Sequence, residues 1–192
     1  MNREEIQSIF VKSQALLEGH FKLTSGLHSP QYFQCAKVLQ NPSYCIQLCA
    51  EIFNYYRDKN IDVVISPALG GIAVGQEVGR QLNARSIFAE RQDGVLQLRR
   101  GFEIKSGENV LICEDVVTTG GSTQEVIDIV ISNEGAVAGT ASIVDRSNGK
   151  VKFDVPHQFS VLKLEVITYQ PNDCPLCKQN IPISKPGSRG DK

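Results

Sequence analysis

The sequence predicts an α/β fold with a mostly parallel central sheet flanked by helices. Three observations predict it. Segments with helical spacing alternate with short apolar runs rich in β-branched residues, giving three or more strand-helix repeats in succession. The run Val110, Leu111, Ile112, Cys113 has the length and composition of a strand buried on both faces, the kind found in parallel sheets. That run then passes without a break into "EDVVTTGGST", and in open α/β sheets the polar carboxyl end of a strand is where ligands bind.

The elements follow in order. Residues 3–18 carry Ile6, Ile9, Phe10, Leu16 and Leu17 at positions available for one buried face, which predicts a helix. "HFKLTSG" and "QYFQCA" read as short extended pieces around a turn containing Gly26, His28, Ser29 and Pro30. Pro42 opens the next helix, where its missing N–H costs nothing, and that helix is expected to end near Asn60. "IDVVISP" is a strand, "PALGG" a turn, and "GIAVGQEVGRQLN" a helix whose small residues permit close packing on a sheet. "RSIFAE" is another strand and "VLQLRRGFEI" a hairpin arm or loop. A strand over 109–113, a helix over about 122–133, and the strands "AVAGTASIVD" and "FSVLKLEVITY" complete the pattern. The tail "SKPGSRGDK" is polar and expected to fray.

With 192 residues and 41% hydrophobic content the chain can bury one sizeable core, so a single domain over 1–192 is expected. Twenty Lys+Arg against 21 Asp+Glu leave a formal charge of -1 and no electrostatic footprint for nucleic acid or anionic lipid. Any anionic ligand must be met locally. The N-terminal stretch is charged from residue 3 and lacks an apolar core with a cleavage site, and no segment is long enough to span a bilayer. A cytoplasmic location with reduced cysteines is expected. Cys45, Cys49 and Cys113 lie on apolar faces and read as core thiols. Cys174 and Cys177, in "CPLC", have the spacing of a zinc half-site or a redox pair. No second CxxC or HxxxH follows, so the spacing favours a tight turn without metal.

Neither GxGxxG nor GxxxxGK[ST] is present, which excludes the common dinucleotide fingerprint and the P-loop. "TTGGST" offers another solution. If Thr118 to Gly121 turn between strand and helix, their N–H groups and hydroxyls converge at the positive end of the helix, a cradle for one phosphate. Glu114 and Asp115 cannot both accept from a phosphate, but they can accept from sugar hydroxyls. Together these describe a phosphorylated ribose. An acidic strand end followed by an ordinary N-cap at Ser122 or Thr123 accounts for the same residues equally well.

"VLICEDVVTTGGST" resembles the phosphoribosyl-pyrophosphate motif of the type I phosphoribosyltransferases: four apolar residues, an acidic pair, two apolar residues and a hydroxyl-rich phosphate loop. "FKLTSGLHSPQYF" is similar to the N-terminal segment of the orotate phosphoribosyltransferases, and "VDRSNG" at 144–149 to their aspartate-arginine strand end. "AERQDGVLQLRRGFEI", "CPLC" and "KPGSR" resemble a branch of that family typified by thermophile sequences. The resemblance covers nearly the whole chain. It implies the type I phosphoribosyltransferase fold, with a hood over about 19–40 that the C-terminal segment is placed to join, a core over about 42–168 and a C-terminal tail from about 170.

The resemblance also implies roles. Glu114 and Asp115 bind the ribose hydroxyls, with Asp115 counted as catalytic; Thr118, Thr119, Gly120, Gly121 and Ser122 hold the 5-phosphate, and Val116 and Val117 are counted with them as binding phosphoribosyl pyrophosphate. "SPALGG", with Ala68, Leu69, Gly70 and Gly71, is the pyrophosphate loop. Arg91 precedes the mobile catalytic loop. Arg146 meets the base or its carboxylate, near Thr118, while Ser25, Gly26, Tyr32 and Phe33 form the hood over the ring. Three departures stand out. Thr24 replaces a lysine of the hood, Gly70 replaces a lysine of many pyrophosphate loops, and "QDGVLQLRRGF" replaces a lysine-rich loop ending in histidine. Arg99 and Arg100, or Lys105, are the candidates to neutralise pyrophosphate instead; solvated hairpin charges are the plain alternative. His28 and Lys37 read as exposed and stay outside the catalytic set.

The implied reaction joins orotate to phosphoribosyl pyrophosphate in pyrimidine (UMP) biosynthesis, with Mg²⁺ bound mainly through substrate and no dedicated protein metal site. A homodimer is implied, one subunit's loop reaching its neighbour's site. Two rivals stand beside this reading. One is transfer to another base such as a purine; the other is a non-catalytic regulator that keeps the phosphoribosyl pyrophosphate pocket as a sensor.

Overall fold

The computed structural model describes residues 1–23 and 25–185. Thr24 and the end of the polar tail, including most of "KPGSR", lie outside the described residues. Helix α1 (Arg3–Lys12) begins in a capping box: the Asn2 side chain accepts from the Glu5 N–H, and the Glu5 carboxylate accepts from the Asn2 N–H, both at 2.8 Å. It is shorter than the apolar spacing predicts. Gln14 turns the chain with φ 53°, and Leu16 and Leu17 belong to strand β1 (Leu16–Lys22). Adjacent apolar pairs fit either period, and the deciding bonds are remote: the Ala15 N–H returns to the Phe10 carbonyl, and the Ala15 carbonyl accepts from Gln34. Strand β2 (His28–Phe33) pairs antiparallel with β1 to form a separate hairpin.

After the short helix α2 (Ala36–Leu39), α3 (Pro42–Tyr56) starts as expected, with Pro42 in its first turn and the Asn41 side chain accepting from Ser43. It ends four residues early. Cys45 and Cys49 are buried on its inner face, and Cys113 is buried in the sheet. The remaining elements are β3 (Val63–Pro67), α4 (Gly70–Leu82), β4 (Arg85–Gln92), β5 (Val95–Leu98), β6 (Asn109–Val117), α5 (Gly121–Ser132), β7 (Ala136–Asp145), β8 (Gln158–Lys163), a 3₁₀ turn at Pro171–Asp173, and α6 (Pro175–Lys178). "VLQLRRGFEI" thus supplies the hairpin arm β5, and the strand from 109 runs on through the acidic pair.

The central sheet has the order β5-β4-β3-β6-β7-β8, parallel throughout except for β5. Alternation along the buried strands feeds two cores. Val64, Leu111, Cys113 and Ile143 join the helices α1, α3 and α4 on one face, while Val63, Ile65, Val110 and Ile112 meet α5 on the other. Helix α4 approaches the sheet closely because Gly71, Gly75 and Gly79 face it. A Cβ at Gly71 would lie 3.1 Å from the Cys113 carbonyl oxygen, and one at Gly79 3.1 Å from Ser86 Cβ. Small residues in this helix therefore set the helix–sheet distance.

Candidate active site

Strands β3 and β6 are parallel neighbours, yet β3 leads into α4 on one face and β6 into α5 on the other. Such a reversal opens a crevice at the carboxyl ends of the two strands. The carboxyl ends of β3, β6 and β7 meet at that edge with the segments 68–71, 118–122 and 146–149 that follow them, and Glu114 and Asp115 lie within the last residues of β6. Neither helix pointing into it has a side-chain cap: α4 is capped by Leu69 and α5 by Gly120, and neither receives a side-chain hydrogen bond. An N-cap at Ser122 or Thr123 is therefore excluded. Two helix N-termini with undedicated N–H groups favour anions in the crevice. Gly120 has φ 81°, and a Cβ there would sit 2.7 Å from Val151 Cγ1, so both conformation and space require glycine.

The acidic pair points to opposite sides of β6. Glu114 accepts a short hydrogen bond from the Thr123 hydroxyl. Asp115 faces the β3–α4 loop, where a Cβ on Gly70 would fall 2.6 Å from both of its carboxylate oxygens. The two loops assigned to pyrophosphate and ribose are thus in mutual contact, and a lysine at position 70 would have no room beside Asp115. Burial pushes Glu114 up to about 7, partly offset by Thr123, and raises Asp115 as well. Neither carboxylate has an ion-pair partner among the described residues. Two half-buried acids without a cation among the described residues are poised to accept from hydroxyls or to approach a metal-bound ligand.

Beside the crevice lies a cavity of about 560 Å³ lined by Leu23, Ser25, Tyr32, Thr118, Thr119, Arg146, Val166 and Thr168. Arg146 is held by its backbone, whose N–H donates to the Val117 carbonyl at 2.9 Å. The preceding Asp145 is buried and accepts from the Ser147 N–H, the Ser147 hydroxyl and the Gly149 N–H, which fixes the turn that follows. Burial works against the Arg146 charge, and its Nε is buried with no hydrogen-bond partner among the described residues. A guanidinium in this position calls for an anionic, planar acceptor from outside the chain.

The structure brings Ser25, Tyr32, Thr118 and Arg146 together around this cavity. Phe33 is a correction: it is 7% exposed and packs edge-to-face on Phe10 with ring centroids 5.0 Å apart, because side chains alternate along β2 and only Tyr32 faces the cavity. Gly26 makes the hairpin turn, its N–H donating to Leu23, and does not line the cavity. Val117 is buried and serves Arg146 through its carbonyl. Arg91 pairs with Glu125 at 2.7 Å, and Arg100 with Glu90 at 2.8 Å. The Arg99 carbonyl accepts from the Phe102 N–H at 3.0 Å, its guanidinium has no hydrogen-bond or ion-pair partner among the described residues, and Lys105 is exposed. His28 is a second correction, buried at 7% exposure against His20. Leu23, Val166 and Thr168 were missed; the alternation in "EVITY" puts the last two on one side of the chain, but nothing local points that side at a ligand.

A family profile described as "Phosphoribosyl transferase domain" matches residues 36–175. The chain belongs to that family. This phosphoribosyltransferase is 56% identical over 191 residues to the orotate phosphoribosyltransferase of Chlorobaculum parvum, covering 100% of this chain and 98% of the relative. It is 53% identical over 189 residues to the protein of the same name from Caldicellulosiruptor saccharolyticus, covering 98% of each. Among solved structures, orotate phosphoribosyltransferase from Aeropyrum pernix superposes with a TM-score of 0.71 at 24% identity, covering 83% of this chain and 94% of that one. Adenine phosphoribosyltransferase from Rhodothermus marinus gives 0.68 at 19% identity, covering 85% and 100%. The type I phosphoribosyltransferase fold is therefore established, and the fold is common to enzymes named for different bases.

Proposed function

We propose that this enzyme transfers the 5-phosphoribosyl group from phosphoribosyl pyrophosphate to orotate, releasing orotidine 5-phosphate and pyrophosphate. The observation that carries this choice of base is Arg146 lining the 560 Å³ cavity, with a buried Nε that has no hydrogen-bond partner among the described residues. Orotate brings a carboxylate to it; adenine brings none. High identity over full length to relatives named for orotate supports the same choice.

The residues divide the work. The N–H groups and hydroxyls of Thr118 to Ser122 hold the 5-phosphate, Glu114 and Asp115 accept from the ribose hydroxyls, and residues 68–71 present amides to pyrophosphate. Tyr32 covers one face of the base. If orotate arrives already deprotonated at its ring nitrogen, that nitrogen bonds to the anomeric carbon as pyrophosphate leaves and no strong general base is needed, so positioning with leaving-group stabilisation supplies the rate. The unpaired carboxylates, and a glycine where a lysine would block Asp115, fit a Mg²⁺ held mainly through the substrate. When bound, Mg²⁺ neutralises the pyrophosphate and helps its departure. Arg99 and Arg100 sit on the β5 hairpin and its following turn, where a homodimer would let them act on a neighbour's pyrophosphate. A single domain and a cytoplasmic location belong to the same proposal; no helix among the described residues is long and apolar enough to cross a membrane.

Initial rates of pyrophosphate release with orotate, uracil, adenine, hypoxanthine and xanthine test the reading. Orotate should be strongly preferred. Preference for a purine would move the assignment to another base, and no release with any base would favour the sensor.

A further inference from the structure

The "CPLC" segment does not stand alone. The chain after β8 folds back on the β1–β2 hairpin through backbone pairs: His28 and Tyr169 exchange N–H···O bonds of 2.9 and 2.8 Å, and Ser184 is bonded to both Lys22 and His20. This return places Cys174 and Cys177 against His20 and His28. His20 Nε2 lies 3.0 Å from His28 Nδ1, 3.6 Å from Cys174 Sγ and 3.7 Å from Cys177 Sγ, and Cys177 Sγ lies 3.3 Å from His28 Nδ1. All four ligand atoms lie within 4.8 Å of one another, and His20, His28 and Cys174 are buried.

We infer that His20, His28, Cys174 and Cys177 form a structural Zn²⁺ site that clamps the hairpin to the C-terminal segment. The distances decide it. A tetrahedron with Zn–N of about 2.05 Å and Zn–S of about 2.3 Å separates two nitrogens by about 3.3 Å and nitrogen from sulfur by about 3.6 Å. The four separations above match those figures to within a few tenths of an ångström, and the other two pairs of ligand atoms lie within 4.8 Å. His20 Nδ1 is 2.8 Å from the Ile181 carbonyl oxygen, to which it donates, leaving the Nε2 lone pair free to ligate and its ring oriented by a second-sphere bond. Four protein ligands leave no open position, so the site is structural, and two thiolates with two imidazoles suit zinc over magnesium or calcium. The two cysteines are free thiols in the structure.

The clamp has a consequence for the base cavity. Its walls include Leu23, Ser25 and Tyr32 from the hairpin and Val166 and Thr168 from the chain leading to the cysteines. The metal would fix these two walls relative to one another, a consequence that rests on the proposed function, whereas the site itself does not.

Full-length protein made in zinc-containing medium without a metal-affinity tag should carry one zinc per chain by elemental analysis. Co²⁺ exchanged into the unaltered protein should give the visible bands of a tetrahedral site together with thiolate-to-metal charge transfer. His28→Gln and the pair Cys174→Ser with Cys177→Ser should each lower the zinc content to about a tenth or less, since removing any ligand of a four-coordinate site breaks its closure. Chelation should lower the melting temperature of the unaltered protein, and zinc should restore it. Protein with no metal and a Cys174–Cys177 disulfide, metal that survives loss of both cysteines, or a cobalt spectrum without thiolate charge transfer would each overturn the site. The cobalt spectrum needs no variant, so misfolding of a mutant cannot rescue the inference.

Discussion

The crevice between β3 and β6 and the clamp beneath the hairpin are both built from polar side chains, but they are assembled in different ways. The crevice draws on the carboxyl ends of strands and the loops that directly follow them, so its chemistry is written in contiguous runs such as Glu114 to Ser122. The clamp joins His20 to Cys174 across 154 residues and His28 to Cys177 across 149. Contiguity makes the first a motif and the second a product of tertiary folding. The crevice and its adjoining cavity are expected to govern chemistry and the clamp geometry, and four substitutions or titrations of the former test that division.

The largest effect is expected at Arg146. Truncating one partner of a buried, hydrogen-bonded charge pair costs about 2 to 5 kcal/mol. Arg146→Ala should therefore lower kcat/KM for orotate by a factor of about 30 or more, and Arg146→Lys should not restore it, because lysine lacks the planar double donor. Affinity for phosphoribosyl pyrophosphate, measured by calorimetry, should be nearly unchanged. Loss of donor binding instead would move Arg146 out of the base cavity and into the crevice.

Next comes Asp115. Each charge-assisted bond to a ribose hydroxyl is worth about 1.5 to 3 kcal/mol, so Asp115→Asn should weaken donor binding by about ten- to a hundredfold while the melting temperature holds. Unaltered affinity would remove the carboxylate from the ribose site.

How much of this was legible follows from the same distinction. The sheet, its helices and the glycine turn between β6 and α5 were readable because apolar period and turn residues lie within one window. The end of α1 was not, since the bonds of Ala15 to Phe10 and Gln34 that stop it involve a residue from the next hairpin. Phe33 was misplaced because adjacent aromatics on a strand cannot both face one cavity, and the register that chose Tyr32 is set by pairing with β1. The partners of "CPLC" were invisible for the same reason: a search along the sequence for a second CxxC or HxxxH cannot find two histidines brought in by strand pairing.

Glu114 offers a pH test of intermediate size. Its folded pKa, raised to about 7 by burial, lies above its ordinary value near 4.5. The sign follows: the folded state holds the proton more tightly, so the associated stability is present below about pH 4.5 and is lost as pH rises through 7. Ligand binding runs the other way, because an acceptor for a ribose hydroxyl works best ionised. Donor affinity should fall as pH drops from 8 to 6, and Glu114→Gln should flatten that profile. A slope that survives the substitution would assign the titration to another group.

The smallest expected effects belong to the β5 hairpin. Arg100 is exposed, bonded to Glu90 through Nε and a terminal nitrogen, with its guanidinium 5.9 Å from the Phe88 ring centroid. Exposed ion pairs are screened by solvent and contribute little, so Arg100→Ala should barely move the melting temperature. A solvent-screened contact with pyrophosphate is weak for the same reason, and each arginine alone should raise KM for the donor only a few-fold. The two roles separate on salt and on combination. If Arg99 and Arg100 meet pyrophosphate, replacing both should compound the rise in KM and reduce its dependence on ionic strength, because two charges no longer compete with dissolved ions. If Arg100 only braces Glu90, Arg99→Ala should be silent, and the double variant should behave as Arg100→Ala alone. Kinetics at low and high salt on the three variants distinguish a lid that completes the crevice from a hairpin that merely carries charge.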